Sequence, residues 1–140
     1  MANAFSVTSA VAQGMLNSTG LAEAIGASGK IAVYSGSVPA SADAANSGTL
    51  LATLTLAASP FSGFSDTGTA GRGTLGAISS ATAAATGTAA FFRITDSGGT
   101  TKAQGTVGTS SADLIFNSIA ITAGSTVAIS SGTIDQPKGP

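Results

Sequence analysis

The hydrophobic positions change period once along the chain, near Lys30. Upstream, Val11, Met15, Ala22 and Ile25 fall at spacings of four, seven and three, which predicts a helix over residues 8–26 with Thr8 or Ser9 at its start. Gly26 and Gly29 end it, and Gly14 and Gly20 inside it each cost about 1 kcal/mol relative to Ala, so the helix depends on packing and is expected to break near Gly20.

Downstream the pattern becomes short β-type runs between Gly, Ser, Asn and Asp clusters: IAVYSG (31–36), LLATLTL (50–56), LGAIS (75–79), TAAFFRITD (88–96), KAQGTV (102–107), ADLIFN (112–117), SIAIT (118–122) and STVAISS (125–131). In LLATLTL, Leu50, Ala52, Leu54 and Leu56 alternate with the other positions, as do Val127 and Ile129 in STVAISS, so one face of each strand is expected to be buried. Asp96-Ser97-Gly98-Gly99 and Ala123-Gly124 are compact turn signals that predict antiparallel hairpins on either side of them. About eight short strands without strand-helix-strand alternation predict an all-β fold, a jelly-roll or Greek-key β-sandwich with one N-terminal helix. The expected division is an arm and helix over 1–29, a sandwich over 30–136 that forms one domain with the helix, and a tail over 137–140. Two longer connections, 37–49 and 57–74, read as irregular loops and as the natural contact loops.

Composition narrows the function. Ala, Gly, Ser and Thr fill more than half of the 140 positions, so the core must be thin. A net charge of −1 and 8% charged residues leave little to repel a partner or solvate a large face, which suits burial against another protein. The basic residues Lys30, Arg72, Arg93, Lys102 and Lys138 are scattered, against direct nucleic-acid binding. No run of about 18 apolar residues and no signal-peptide pattern occurs, so the expectation is a protein made in the cytoplasm with no membrane partner. Asn17-Ser18-Thr19 matches a glycosylation acceptor but reads as chance in a Ser/Thr-rich chain.

With 0 His and 0 Cys, the usual general base, the thiolate nucleophile and the commonest transition-metal ligands are missing. No catalytic, cofactor-binding or metal residue is assigned, and the chain is expected not to be an enzyme. A Ser-Lys dyad using Lys30 or Lys102 has no supporting motif. A calcium loop over 62–69 would hold a single carboxylate, Asp66. Asp43, Asp66, Asp96, Asp113 and Asp135 read as residues of turns and strand ends.

Contact candidates remain. Phe61 and Phe64 lie in the Pro/Ser/Gly-rich 57–74 segment and either plug an open end of the sandwich, the favoured reading, or project as anchors. Arg72, between Gly71 and Gly73, is either a loop tip or a guanidinium for a partner carboxylate. Residues 1–7, with Phe5 and Val7, and the segment from Asp135 to the end read as arms. Phe91 and Phe92 must point to opposite faces of one strand, one into the core and the other toward a dimer or capsid contact.

The order AFSVTSAVAQG, LAEAIGASGKIAVYSGSVPASADAANSGTLLATLTL and TGTAAFFRITDSGGTTKAQGTVGTSSADLIFNS resembles the capsid cement, or decoration, proteins of tailed phages over nearly the whole chain. IAVYSGSVPASAD, SGTLLATL, FFRITDSGGT and VGTSSADL carry most of the likeness, and Gly14, Gly20 and the Phe61–Gly73 segment depart from it. The resemblance implies a jelly roll, a homodimer at two-fold positions, and clamping of neighbouring capsomers of an HK97-type major capsid protein on the outer surface of the virion. The competing expectation is a carbohydrate-binding jelly-roll module of a phage tail, for which Tyr34 is the one tyrosine available as a platform in a chain with no Trp.

Overall fold

The computed structural model describes residues 5–17 and 20–137. The expectations for residues 1–4, for the acceptor at Ser18-Thr19, for Lys138 and for the last three residues therefore lie outside the described residues. In chain order the elements are β1 (Ser6–Val7), α1 (Ser9–Asn17), α2 (Leu21–Ile25), β2 (Lys30–Ser35), β3 (Thr49–Thr55), β4 (Phe61–Asp66), β5 (Ala70–Leu75), β6 (Ala81–Thr82) and β7 (Gly87–Thr88). They continue with β8 (Phe91–Thr95), β9 (Thr101–Gly108), β10 (Leu114–Phe116), β11 (Ala120–Ile121), β12 (Thr126–Val127) and β13 (Ile129–Pro137).

The expected helix is two helices. Gly20 stands ahead of α2 with extended backbone (φ −78°, ψ 174°), and Gly26 closes α2 at φ 70°, a conformation glycine reaches without a Cβ penalty. Thr8 starts α1 as expected, its Oγ1 accepting the Val11 N–H at 3.3 Å. Val11 and Ile25 are buried and Ala22 is half-buried, whereas Met15 is 42% exposed, so the periodic face is open at Met15.

The protein is mostly β. A main nine-stranded mixed sheet follows the path β3-β2-β8-β9-β10-β13-β5-β4 with β1 also paired to β9, and β11-β7 and β12-β6 form two small sheets. Every pairing is antiparallel except β9 with β10, where Val107 lies opposite Leu114. These ladders do not by themselves divide the strands into two facing layers.

The β8–β9 hairpin forms where the turn chemistry placed it. Asp96 Oδ1 accepts the N–H groups of Gly98 and Thr100, both at 3.0 Å. By contrast, the segments on either side of Ala123-Gly124 do not pair with each other: β11 pairs with β7 and β12 with β6. The turn forms locally, with Ser125 N–H donating to Thr122 O, but each arm finds a more distant partner. Burial in LLATLTL also shifts. A bulge opposite Val33/Tyr34 leaves Leu50 40% exposed and buries Leu51 beside Ala52 and Leu54.

The larger correction is 57–74, which is not an irregular loop. β4 and β5 pair antiparallel, and the turn is held by Asp66 Oδ1 accepting the Gly68 N–H at 2.7 Å, with Gly68 at φ 96°. Phe61 and Phe64 are thus strand residues, and Gly71-Arg72-Gly73 is strand and not a loop tip. Asp135, Gln136 and Pro137 likewise belong to β13, opposite Arg72, Gly71 and Ala70, and not to a free arm.

The core gathers Ile31, Val33, Leu54, Phe92, Ile94, Val107 and Leu114 with many alanines on one face of the β2–β8–β9 region. Phe91 and Phe92 do face opposite ways, yet both are fully buried. Phe91 stacks on Tyr34 with centroids 5.1 Å apart, on the face that also carries Arg93 and Gln104. No surface is left on Phe91 for a partner. The stretch 37–49 was expected to be a contact loop; the connection between β2 and β3, residues 36–48, is instead fastened over that face: Arg93 Nη2 donates to Ala44 O at 2.5 Å and Gln104 Nε2 to Pro39 O at 2.8 Å.

Candidate functional site

Gly73 is buried in β5, and a Cβ there would come within 2.7 Å of the Phe61 ring. Its absence lets Phe61 lie across the strand, with the Phe64 ring 5.5 Å away at a tilt of 43°. Phe61 is half-buried and packs against the core, while Phe64 stands 77% exposed. Phe61 therefore folds back onto the core, and Phe64 projects.

Opposite these rings lie Phe5, Met15 of α1 and Leu21 of α2, with Ile134 of β13 also in the lining. Together they enclose an open groove of about 370 Å³ whose walls are almost wholly apolar. Beside Met15 on α1, Leu16 is 92% exposed. Single exposed hydrophobic residues are ordinary, but Phe64 and Met15 line the same groove, which concentrates apolar surface at one place. β4 ends the main strand path, so among the described residues its outer edge has no strand partner.

Arg72, the charged side chain among the described residues of the lining, is neutralised within the chain. Arg72 and Asp135 lie directly opposite each other in the β5–β13 ladder, and Nε and Nη2 of Arg72 donate to Oδ1 and Oδ2 of Asp135 at 2.6 and 2.7 Å. These hydrogen bonds hold the Asp135 carboxyl below the ordinary carboxylate range and push the Arg72 guanidinium up. The fork expected for a partner carboxylate is thus already used within the chain. An apolar side chain placed in this groove would be removed from water.

Of the five expected contact residues, Phe5, Phe61, Phe64 and Arg72 come together at this groove. Val7 does not. It pairs with Ala103 in β1–β9 and packs half-buried against the core. Met15, Leu21, Ile134 and Gln136 were missed. Met15 fell on the helix face expected to be buried, and Ile134 and Gln136 sat near a chain end read as an arm. Tyr34, which a sugar-binding reading would need as a platform, has its ring stacked against Phe91.

Elsewhere the candidate chemistry is spent on structure. Asp66 holds the β4–β5 turn, Lys102 pairs with Asp96 at 3.5 Å, and buried Asp113 accepts the Thr106 N–H at 2.9 Å. Among the described residues no three acidic side chains converge to hold a metal, and no helix is long and apolar enough to cross a membrane. Comparison of the chain with protein-family models, curated proteins and solved structures gives no match.

Proposed function

We propose that this chain is a structural virion protein that docks through the β4–β5 groove on the outer surface of a phage capsid and cements neighbouring capsomers. The observation that carries the proposal is the exposed Phe64 above a charge-neutral apolar groove on an edge hairpin. Aromatic side chains are enriched in the buried centres of protein interfaces, where a few residues carry most of the binding energy, and the Arg72 charge at this groove is already paired with Asp135. The absence of His and Cys from the sequence and its net charge of −1 support adhesion over turnover. The whole-chain resemblance supports the choice of partner, an HK97-type major capsid protein, with the chain acting as a homodimer and folded as a jelly roll. No cofactor, nucleic acid or membrane enters this reading.

Contacts repeated by symmetry let a modest interface hold a shell together. The test is to mix the purified chain with expanded capsids that lack it and to weigh the product. A stoichiometric gain in mass at micromolar concentration is expected. No gain overturns the proposal.

A further inference from the structure

Helix α1 is a poor helix by its own sequence. It has nine residues, Gly14 at its middle, no acidic residue in the first turn and no basic residue in the last. Helices this short do not persist alone in water. What the first turn lacks arrives from elsewhere in the chain: Asp43, in the 36–48 connection, accepts the Ser9 N–H at 2.9 Å and the Ser9 hydroxyl at 2.7 Å. A carboxylate at this position completes an orphan donor and meets the positive end of the helix dipole.

Asp43 is in turn held by groups on the sheet. Arg93, 7% exposed and without an ion-pair partner among the described residues, reaches Ala44 O at 2.5 Å and Ser41 O at 3.5 Å, on either side of Asp43. Its Nε donates to Gln104 Oε1 at 3.3 Å, and Gln104 Nε2 fixes Pro39 O. A chain of contacts thus runs from the β8–β9 ladder through the 36–48 strap to α1, and Met15 of α1 lines the groove.

We infer that the 36–48 strap is a positioning device: Arg93 sets the strap, the strap presents Asp43, and Asp43 holds α1 as a wall of the docking groove. The consequence for docking rests on the function proposed above; the mechanical coupling does not. Among the described residues Arg93 makes no hydrogen bond to α1. Its effect reaches α1 through the strap or through Gln104, whose ladder partner Ser6 lies in β1 just ahead of α1. Unchanged exchange at the Ser6 and Val7 amides in Arg93→Lys marks the strap route.

The test needs no partner. Amide hydrogen exchange is measured in the full chain for wild type, Asp43→Ala, Asp43→Asn and Arg93→Lys. The Met15 methyl resonance, one of two methionine methyls, reports the groove wall. In Asp43→Ala the α1 amides should lose protection by about fivefold, the size of a lost helix cap, with the Met15 methyl shifting and β8 and β9 unchanged. Asp43→Asn should restore part of that protection, and Arg93→Lys should loosen α1 selectively. Unchanged α1 protection in Asp43→Ala, an Arg93→Lys variant with wild-type α1, or equal losses in α1 and β8–β9 would each overturn the coupling. Because no capsid is present, these results stand or fall apart from the docking assay.

Discussion

Replacing Phe64 by Ser separates an anchor from a plug. Phe64 is 77% exposed and among the described residues its ring packs against that of Phe61 at 5.5 Å, so folding gains little from it and unfolding free energy should change by less than about 1 kcal/mol. Association is another matter. A Phe side chain covers roughly 150–250 Å², of which most is still in water here, and burying that remainder at about 25 cal/mol per Å² is worth roughly 3–5 kcal/mol. Side-chain ordering and incomplete coverage reduce this to about 2 kcal/mol, which is about 30-fold in affinity. Urea unfolding monitored by far-UV circular dichroism gives the first quantity. Sedimentation with expanded capsids over a concentration series gives the second. A variant whose urea midpoint falls by more than about 1 M while its capsid affinity is unchanged would show that Phe64 holds the fold and not the partner.

Three further outcomes are expected. In Gly105→Ala the new Cβ would stand 2.7 Å from the Phe92 ring and 2.8 Å from Asp113 Oδ2, both buried, so the urea midpoint should fall by about 1–3 kcal/mol of stability; a wild-type midpoint would mean the β8–β9 packing is looser than described. Thr8→Ala removes the Oγ1 that caps Val11 N–H and should cost about 1 kcal/mol, read as a lower thermal midpoint, with no change counting against the cap. The carboxyls of Asp43, Asp96 and Asp135 are each held low, by Ser9, by the Thr100 N–H and by Arg72 in turn. Folded values below the unfolded value of about 3.9 give stability that is present above that pH and lost as pH falls through the folded values. Urea midpoints should therefore be flat from neutral to about pH 5 and drop below about pH 4, less steeply in Asp135→Asn, and a midpoint that rises on acidification would contradict the assignment.

The features legible in sequence were those decided within a few residues. The Gly20 break, the Thr8 cap and the Asp96 turn each depend on local φ/ψ freedom or on a side chain reaching its own backbone. Partner choice between distant strands was not legible. β11 and β12 flank a good turn, yet pair with β7 and β6, because nothing in two-residue strands marks one partner over another. The β4–β5 hairpin was hidden by its own composition: F-S-G-F-S-D and A-G-R-G-T-L look like loop because glycine is needed where Phe61 crosses Gly73. The candidate site suffered likewise. Its aromatic members stood out, but their meeting with Met15 and Ile134 depends on a helix and a terminal strand folding against the same hairpin. Arg72 looked available until Asp135, 63 positions away, was placed opposite it.

Hydroxyl-radical footprinting of the chain, free and mixed with capsids, tests the proposed docking surface most directly. Oxidation of Phe64 and Met15 should fall on binding, while Val38 and Leu50 of the 36–55 region keep their free-state rates. Unchanged oxidation at Phe64 and Met15 in the bound chain, with protection appearing at Val38 and Leu50, would contradict the account.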